Sequence, residues 1–193
     1  MVGTRNWGWL ATVATVLLAL AGIPTGLTVQ RWRQDLRAQA FDRLIRETAL
    51  RHGIAPGLVK AVIWKESRFR PACVGRAGEM GLMQITQGAV TDWREACGRP
   101  MPNRVMCFDP RLNIEIGTWY LARAMRTWRH YRSADTLALA EYNAGGVRAR
   151  GWAPANPQQV VAVSSISFPS TRGYIEQVKR KWHDFERTRH TRG

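Results

Sequence analysis

Apolar residues through most of this chain recur every three to four positions and almost never every second one, and that period confines the fold to packed helices. Residues 35–52 place Leu36, Ala40, Leu44, Ile45 and Thr48 on one face, with arginine and aspartate opposite, and Gly53 stands where a helix ends in a left-handed residue. Pro56 suits the first turn of a second helix, whose apolar face carries Val59, Val62 and Ile63. A short helix is expected over 86–96. Asp109 followed by Pro110 pairs a capping side chain with a first-turn proline. The long helix they open is expected to end near residue 130, with Ile114, Gly117, Leu121, Ala124, Met125 and Trp128 along its stripe. Ser133 or Asp135 caps the next helix, which stops at 143–146. Residues 151–170 contain Pro154, Pro157 and Pro169 and read as a long loop, with a short strand over 160–166 as the one β element expected. A last helix from near residue 171 carries Tyr174, Ile175, Val178, Trp182 and Phe185. The expected fold class is therefore all-α. The 193 residues give one helical domain over 34–187, a preceding segment over 1–30 and a basic tail over 188–193.

The segment before the helices carries no charge from Asn6 to Gln30. Arg5 and the amino terminus form a small basic start, an apolar stretch runs from 7 to 20, and Ala19-Leu20-Ala21 has the small-x-small pattern of a signal cleavage site. An uncleaved anchor over 7–29 is the alternative, since its length suffices for a hydrocarbon core of roughly 30 Å. Pro24, Gly22 and Gly26 weaken its second half as a helix, and Arg31, Arg33 and Arg37 oppose an orientation with the domain outside. Either way the domain is expected outside the cytoplasm, periplasmic or in the cell envelope, with membrane contact if the segment is retained.

Lys and Arg number 29 against 14 Asp and Glu, a net charge of +15, and only Lys60, Lys65, Lys179 and Lys181 among the bases are lysine. The arginines are spread along the chain rather than gathered in a block. That spread allows a solvated basic surface, or attraction to an anionic wall or membrane. Nucleic acid is not expected as a partner, because the leading segment takes the domain away from it. In an exported protein thiols tend to pair. Cys97 and Cys107 flank a turn-rich stretch with no helical period, so a Cys97–Cys107 bridge is expected, with Cys73 to either as the alternative. No cluster has metal-ligand spacing, and neither metal nor cofactor is expected.

A catalytic acid needs a raised pKa, and burial against apolar groups is the simplest way to raise a carboxylate's. Glu66 lies seven residues after Val59, four after Val62 and three after Ile63, on the apolar stripe at the C-terminal end of its helix, where the helix dipole also disfavours negative charge. A glutamate reaching out to solvent from the helix end is the bland alternative. Glu141, next to Tyr142, is the second candidate and reads equally well as structural.

Glu66-Ser67-Arg68-Phe69-Arg70-Pro71 is similar to the Glu-Ser-x-Phe-x-Pro motif of the soluble-type lytic transglycosylases. Gly78-Glu79-Met80-Gly81-Leu82-Met83-Gln84 resembles their Gly-x-x-Gly-Leu-Met-Gln motif. Asp109-Pro110, Asn113-Ile114, Gly117 and Tyr120-Leu121 resemble the helix that follows, and Ala140-Glu141-Tyr142-Asn143-Ala144-Gly145 their Ala-x-Tyr-Asn-Ala-Gly. The four occur in the family's order over 57–146. The resemblance implies a lysozyme-like α-helical fold and peptidoglycan glycan strands as substrate, cut at the β-1,4 bond between N-acetylmuramic acid and N-acetylglucosamine. It implies that Glu66 protonates the leaving oxygen and, as a carboxylate, then deprotonates the muramyl 6-hydroxyl, which closes on C1 to give a 1,6-anhydro end. The substrate's acetamido group would take the place of a second carboxylate.

By the same resemblance Ser67 positions Glu66 or the sugar, and Met83 and Gln84 line the cleft, with Gln84 donating to an acetamido or hydroxyl. Tyr142 and Asn143 orient the carboxyl and the acetamido group. Thr171-Arg172-Gly173-Tyr174-Ile175 resembles a late element of some members, through which Tyr174 could reach the cleft, but the acids that often precede it are absent from 164–170. Small exported members often open the wall for secretion or conjugation machinery, which the sequence neither requires nor excludes here. A hydrolytic muramidase, or a wall-binding assembly factor with an inactive cleft, are the competing functions. The intact Glu66, Gln84, Tyr142 and Asn143 argue against the latter.

Overall fold

The computed structural model describes residues 26–190. The expected signal or anchor segment lies outside the described residues except for its last five positions, and 191–193 of the expected tail also lie outside. The chain divides into two compact units, 1–36 and 37–193. Among the described residues no helix is long and apolar enough to cross a membrane.

Seven α-helices are described: α1 (Gly26–Arg51), α2 (Pro56–Ser67), α3 (Gln87–Cys97), α4 (Pro110–Trp128), α5 (Ala134–Ala144), α6 (Gly146–Trp152) and α7 (Pro169–His190). Short 3-10 turns lie at Met106–Phe108 and Val163–Ser165. No strand forms among the described residues. The isolated bridges Val74–Met80 and Met80–Ile85 are the β pairing seen, and the strand expected over 160–166 is a 3-10 turn instead.

Local signals account for most element ends. Gly53 has φ +68 and closes α1, with Ile54 N donating to Ala49 O at 3.0 Å. Thr86 caps α3 by accepting from Ala89 N, and Asp109 caps α4 by accepting from Arg111 N and Leu112 N. Ser133 precedes α5 without capping it; its hydroxyl accepts from Val161 N at 2.9 Å and holds the long loop down. The 188–190 stretch expected as tail continues α7. The unforeseen element is α6. Gly145, at φ +87, closes α5 through its N–H to Glu141 O (2.8 Å) and at once starts a second helix with Ala149 N on its carbonyl (3.1 Å). A glycine that stops one helix is thus also the turn into the next.

In α2, Leu58, Val59, Ala61, Val62 and Ile63 are all buried, the pattern of a helix inside the core. It packs along α7, α4 packs along α5, and α5 on α6. In α1 the buried stripe is Ala38, Ile45, Thr48 and Ala49, while Leu36 is 45% exposed, so the face is rotated from the one expected. The expected Cys97–Cys107 bridge is not formed. All three cysteines are free, Cys97 exposed at the end of α3 and Cys107 buried in the core within the 3-10 turn Met106–Phe108.

Candidate active site

Glu66 occupies the last turn of α2 and is partly buried. Loss of hydration pushes its pKa from 4.5 up to about 7; the Tyr174 hydroxyl and the Lys65 charge pull it down, and the negative charge of Glu79 pushes it up. At neutral pH Glu66 therefore holds its proton about half the time, which suits a general acid.

The chain turns sharply after it. Arg68 and Phe69 both take left-handed conformations, at φ 53 and 58, and Gln84 on the facing segment has φ 48. These are the three non-glycine residues with positive φ among those described, each at a cost of about 1–2 kcal/mol. Strain of this kind persists only where the surroundings enforce it. Here Phe69 is buried at 1% exposure, and Arg68 lies 3.4 Å over the Trp64 ring while donating to Trp64 O.

The facing segment, 72–86, is fixed by main-chain pairs, Met80 N to Ile85 O and the reverse (both 3.0 Å) and Gly81 N to Cys73 O (2.9 Å). Asn113 of α4 clamps it from beneath. Wholly buried, it accepts from Met83 N at 2.8 Å and donates to Met80 O at 2.8 Å and Cys107 O at 2.7 Å. Gly81, at φ +74, is required here, because a Cβ would come 2.3 Å from Asn113 Nδ2.

The residues proposed from sequence divide on burial. Ser67 is 1% exposed and its hydroxyl donates to Leu82 O (2.8 Å) and Ile63 O (3.2 Å), so it ties α2 to the facing segment and does not reach a sugar. Met83 does not line the cleft. It is wholly buried against Gly117, which leaves space for it, and Thr118 donates to its sulfur at 3.7 Å. Its contribution to the site is its carbonyl, which accepts from the Tyr142 hydroxyl at 2.8 Å. Gln84 is partly buried, but both amide hydrogens serve Cys73 O and Gly81 O, so it offers an acceptor where a donor was expected.

Tyr142 stands edge-on to Tyr120 at 5.9 Å, and Tyr142 and Tyr174 both have phenols held well above 10 by burial and by the Glu66 charge. The buried Tyr174 hydroxyl has no partner in full hydrogen-bond geometry, and its effect on Glu66 is to hold the carboxyl's pKa below where burial alone would put it. Asn143 is exposed, with its Oδ1 accepting from Thr171 at 2.9 Å and its Nδ2 left for another acceptor. Glu141 is structural. It is 7% exposed and accepts from Trp128 Nε1 at 2.8 Å.

Asn113 and Glu79 were missed from sequence. Asn113 stands at helical spacing from Gly117 and Tyr120, a polar residue on an apolar stripe, which is a readable signal. Glu79 had none, because only the folded turn brings it near Glu66. It accepts from Ala77 N at 3.0 Å and lies over Gly75, where a Cβ would come 2.1 Å from its Oε2 and 2.7 Å from Gln84 Oε1. Among the described residues no group of side chains could hold a metal ion.

An all-α domain with one desolvated glutamate at a helix end, faced by a glycine-turned segment, a buried Tyr174 and a half-buried Tyr142, is of the lysozyme-like class. The family model of the transglycosylase SLT domain matches residues 43–160, more than half of the chain, and the chain belongs to that family. It is 34% identical over 117 residues to membrane-bound lytic murein transglycosylase C of Yersinia pestis (strain Pestoides F), covering 58% of this chain and 33% of the relative. The 70-kDa soluble lytic transglycosylase of Escherichia coli superposes with TM-score 0.67 at 29% identity, over 76% of this chain and 24% of that one. A complex of the 70-kDa soluble lytic transglycosylase with bulgecin A gives TM-score 0.70 at 27% identity, over 82% and 26%. The chain thus spans a third or less of the length of these proteins.

Proposed function

We propose that this chain is a peptidoglycan lytic transglycosylase acting in the cell envelope, with Glu66 as its single acid and base. The observation that carries the reading is the Glu66 carboxyl, partly exposed yet desolvated enough to keep a proton near pH 7. In this reading the protonated carboxyl delivers its proton to the oxygen between N-acetylmuramic acid and N-acetylglucosamine as the bond to C1 breaks. The carboxylate left behind takes the proton of the muramyl 6-hydroxyl, whose oxygen bonds to C1 and closes the 1,6-anhydro ring. The same oxygen pair on Glu66 serves both transfers, and no water enters. Asn143 Nδ2 and Gln84 Oε1 are the polar groups offered to the acetamido and hydroxyl substituents. Family membership, the names of the relatives and the uncharged N-terminal stretch support the envelope location.

Glu79 is the specific observation behind a second reading. A second carboxylate whose charge acts on Glu66 could orient water in place of the 6-hydroxyl, giving a hydrolytic muramidase. Digestion of purified peptidoglycan, with products read by mass spectrometry, separates the two. Anhydromuramyl ends, lighter by one water than reducing ends and absent with Glu66→Gln, are expected. Reducing ends would establish the hydrolase, and soluble products unchanged in the Glu66→Gln variant would remove Glu66 from the chemistry.

A further inference from the structure

Between Tyr142 and Ile175 the chain contains no aspartate or glutamate, but it contains Arg148, Arg150 and Arg172. This acid-free run builds α6, the long loop and the start of α7, and it adjoins the site at two points. Thr171 bonds Asn143, and Tyr174, two residues beyond Arg172, acts on Glu66. Arg148 and Arg150 are exposed, and none of the three forms a salt bridge among the described residues, whereas nine ion pairs occupy acids elsewhere on the surface.

The arginines are also held in a receptive arrangement. The Arg148 guanidinium lies 5.1 Å from the centre of the Phe168 ring. Trp152 stands edge-on to the same ring at 5.4 Å and is locked by its Nε1 donating to Ser167 Oγ at 2.9 Å. Phe168 stays 39% exposed. Arg148 Nη1 donates to Ala144 O at 3.4 Å, and a guanidinium laid on an aromatic face loses rotamer freedom while its remaining edge N–H groups match the oxygens of a carboxylate. Arg172 is anchored through Nη1 to Ile166 O at 3.1 Å and keeps its remaining donors.

Resting on the reading of the cleft as a peptidoglycan site, we propose that the α6–α7 edge is a subsite for the free carboxylates of the stem peptides carried by the glycan strand. The sugars of that strand are neutral; its negative charge lies on the peptides, one lactyl linkage away from the ring whose bond is cut. A cationic and aromatic rim beside Asn143 and Tyr174 complements a strand whose peptides are unamidated, and discriminates against one whose carboxylates are capped as amides.

The test uses the full chain carrying Glu66→Gln, so that binding is read without turnover, and purified insoluble peptidoglycan before and after carbodiimide amidation of its carboxylates. Co-sedimentation is expected to show binding about two- to fivefold weaker on the amidated wall, the scale of one exposed charge pair. Adding Arg148→Gln with Arg172→Gln should bring the ratio between the two walls close to one, while Arg43→Gln, on the exposed side of α1, leaves it in place. Raising the salt concentration should erase the ratio. Equal binding to both walls at low salt, or a ratio unaltered by the double arginine variant, overturns the subsite. Cleavage by the unsubstituted chain is scored separately, so a protein that binds with the expected preference but releases no product would sink the enzymatic reading and leave this one standing.

Discussion

A carboxyl whose pKa is lifted from 4.5 to about 7 carries two consequences of opposite worth. For catalysis the proton is available at neutral pH, so kcat/KM should fall as pH rises through about 7, where the acid form is lost. The neighbours fix the direction in which that limb moves. Glu79 raises the Glu66 pKa and Tyr174 lowers it. Glu79→Gln should therefore move the alkaline limb to lower pH and Tyr174→Phe to higher pH. Limbs that both move the same way in rate profiles would contradict the arrangement. For stability the sign is reversed. The folded state holds the Glu66 proton between pH 4.5 and about 7 while the unfolded chain releases it, so stability falls as pH rises through that window. The cost saturates above it at up to about 3 kcal/mol. Glu66→Gln removes the ionisation. Urea unfolding is expected to find the variant more stable than the parent at pH 8 by up to about 3 kcal/mol, and indistinguishable from it at pH 4.

At the scale of elements, the sequence was most readable where one residue type answers one local demand. Pro56 opens α2, Gly53 ends α1, and Asp109 with Pro110 starts α4, because each satisfies a helix end without help from the rest of the fold. The burial of the Glu66 carboxyl was legible for a related reason, since Glu66 stands at helical spacing from Val59, Val62 and Ile63. What was not legible depended on long-range approach. Met83 reads as a cleft residue from its motif, but Gly117 on α4 leaves it space in the core, and a Cβ there would come 2.6 Å from Met83 Cβ. The clamp by Asn113 spans thirty residues or more to Met83 and Met80, which no local pattern reports. Its energetic weight is large, since one buried amide satisfies three buried main-chain groups. Removing it leaves Met83 N and Cys107 O unpaired at about 1–3 kcal/mol apiece, while Met80 O keeps its bond from Ile85 N. Asn113→Ala should thus destabilise the domain by about 2 kcal/mol or more. Gln84 and the Met83 carbonyl should lose their register with it, so turnover measured well below the new melting temperature should also drop. Full activity in a destabilised variant would mean that the clamp serves the fold alone.

Across the whole molecule, the surplus of fifteen positive charges sets two forces against each other. Half of the fourteen carboxylates are in ion pairs, among them Asp42 with Lys60, Asp92 with Arg123, Asp135 with Lys179, and Glu115 with both Arg51 and His52. The excess is therefore largely arginine without an acidic partner among the described residues, and it repels itself in the folded state. Salt weakens both the exposed pairs and the repulsion, and exposed pairs contribute about 0–1 kcal/mol each, so the repulsion dominates the balance. Going from low to physiological salt should then raise the melting temperature, by about 2–4 °C if the relief is near 1 kcal/mol. The same screening should weaken attachment to an anionic wall. Thermal denaturation and wall co-sedimentation, measured on one salt series, are thus expected to move in opposite directions. A melting temperature that falls with salt would mean that the ion pairs, not the unpaired arginines, govern the stability of this surface. The basic composition would then need a source other than attraction to the wall.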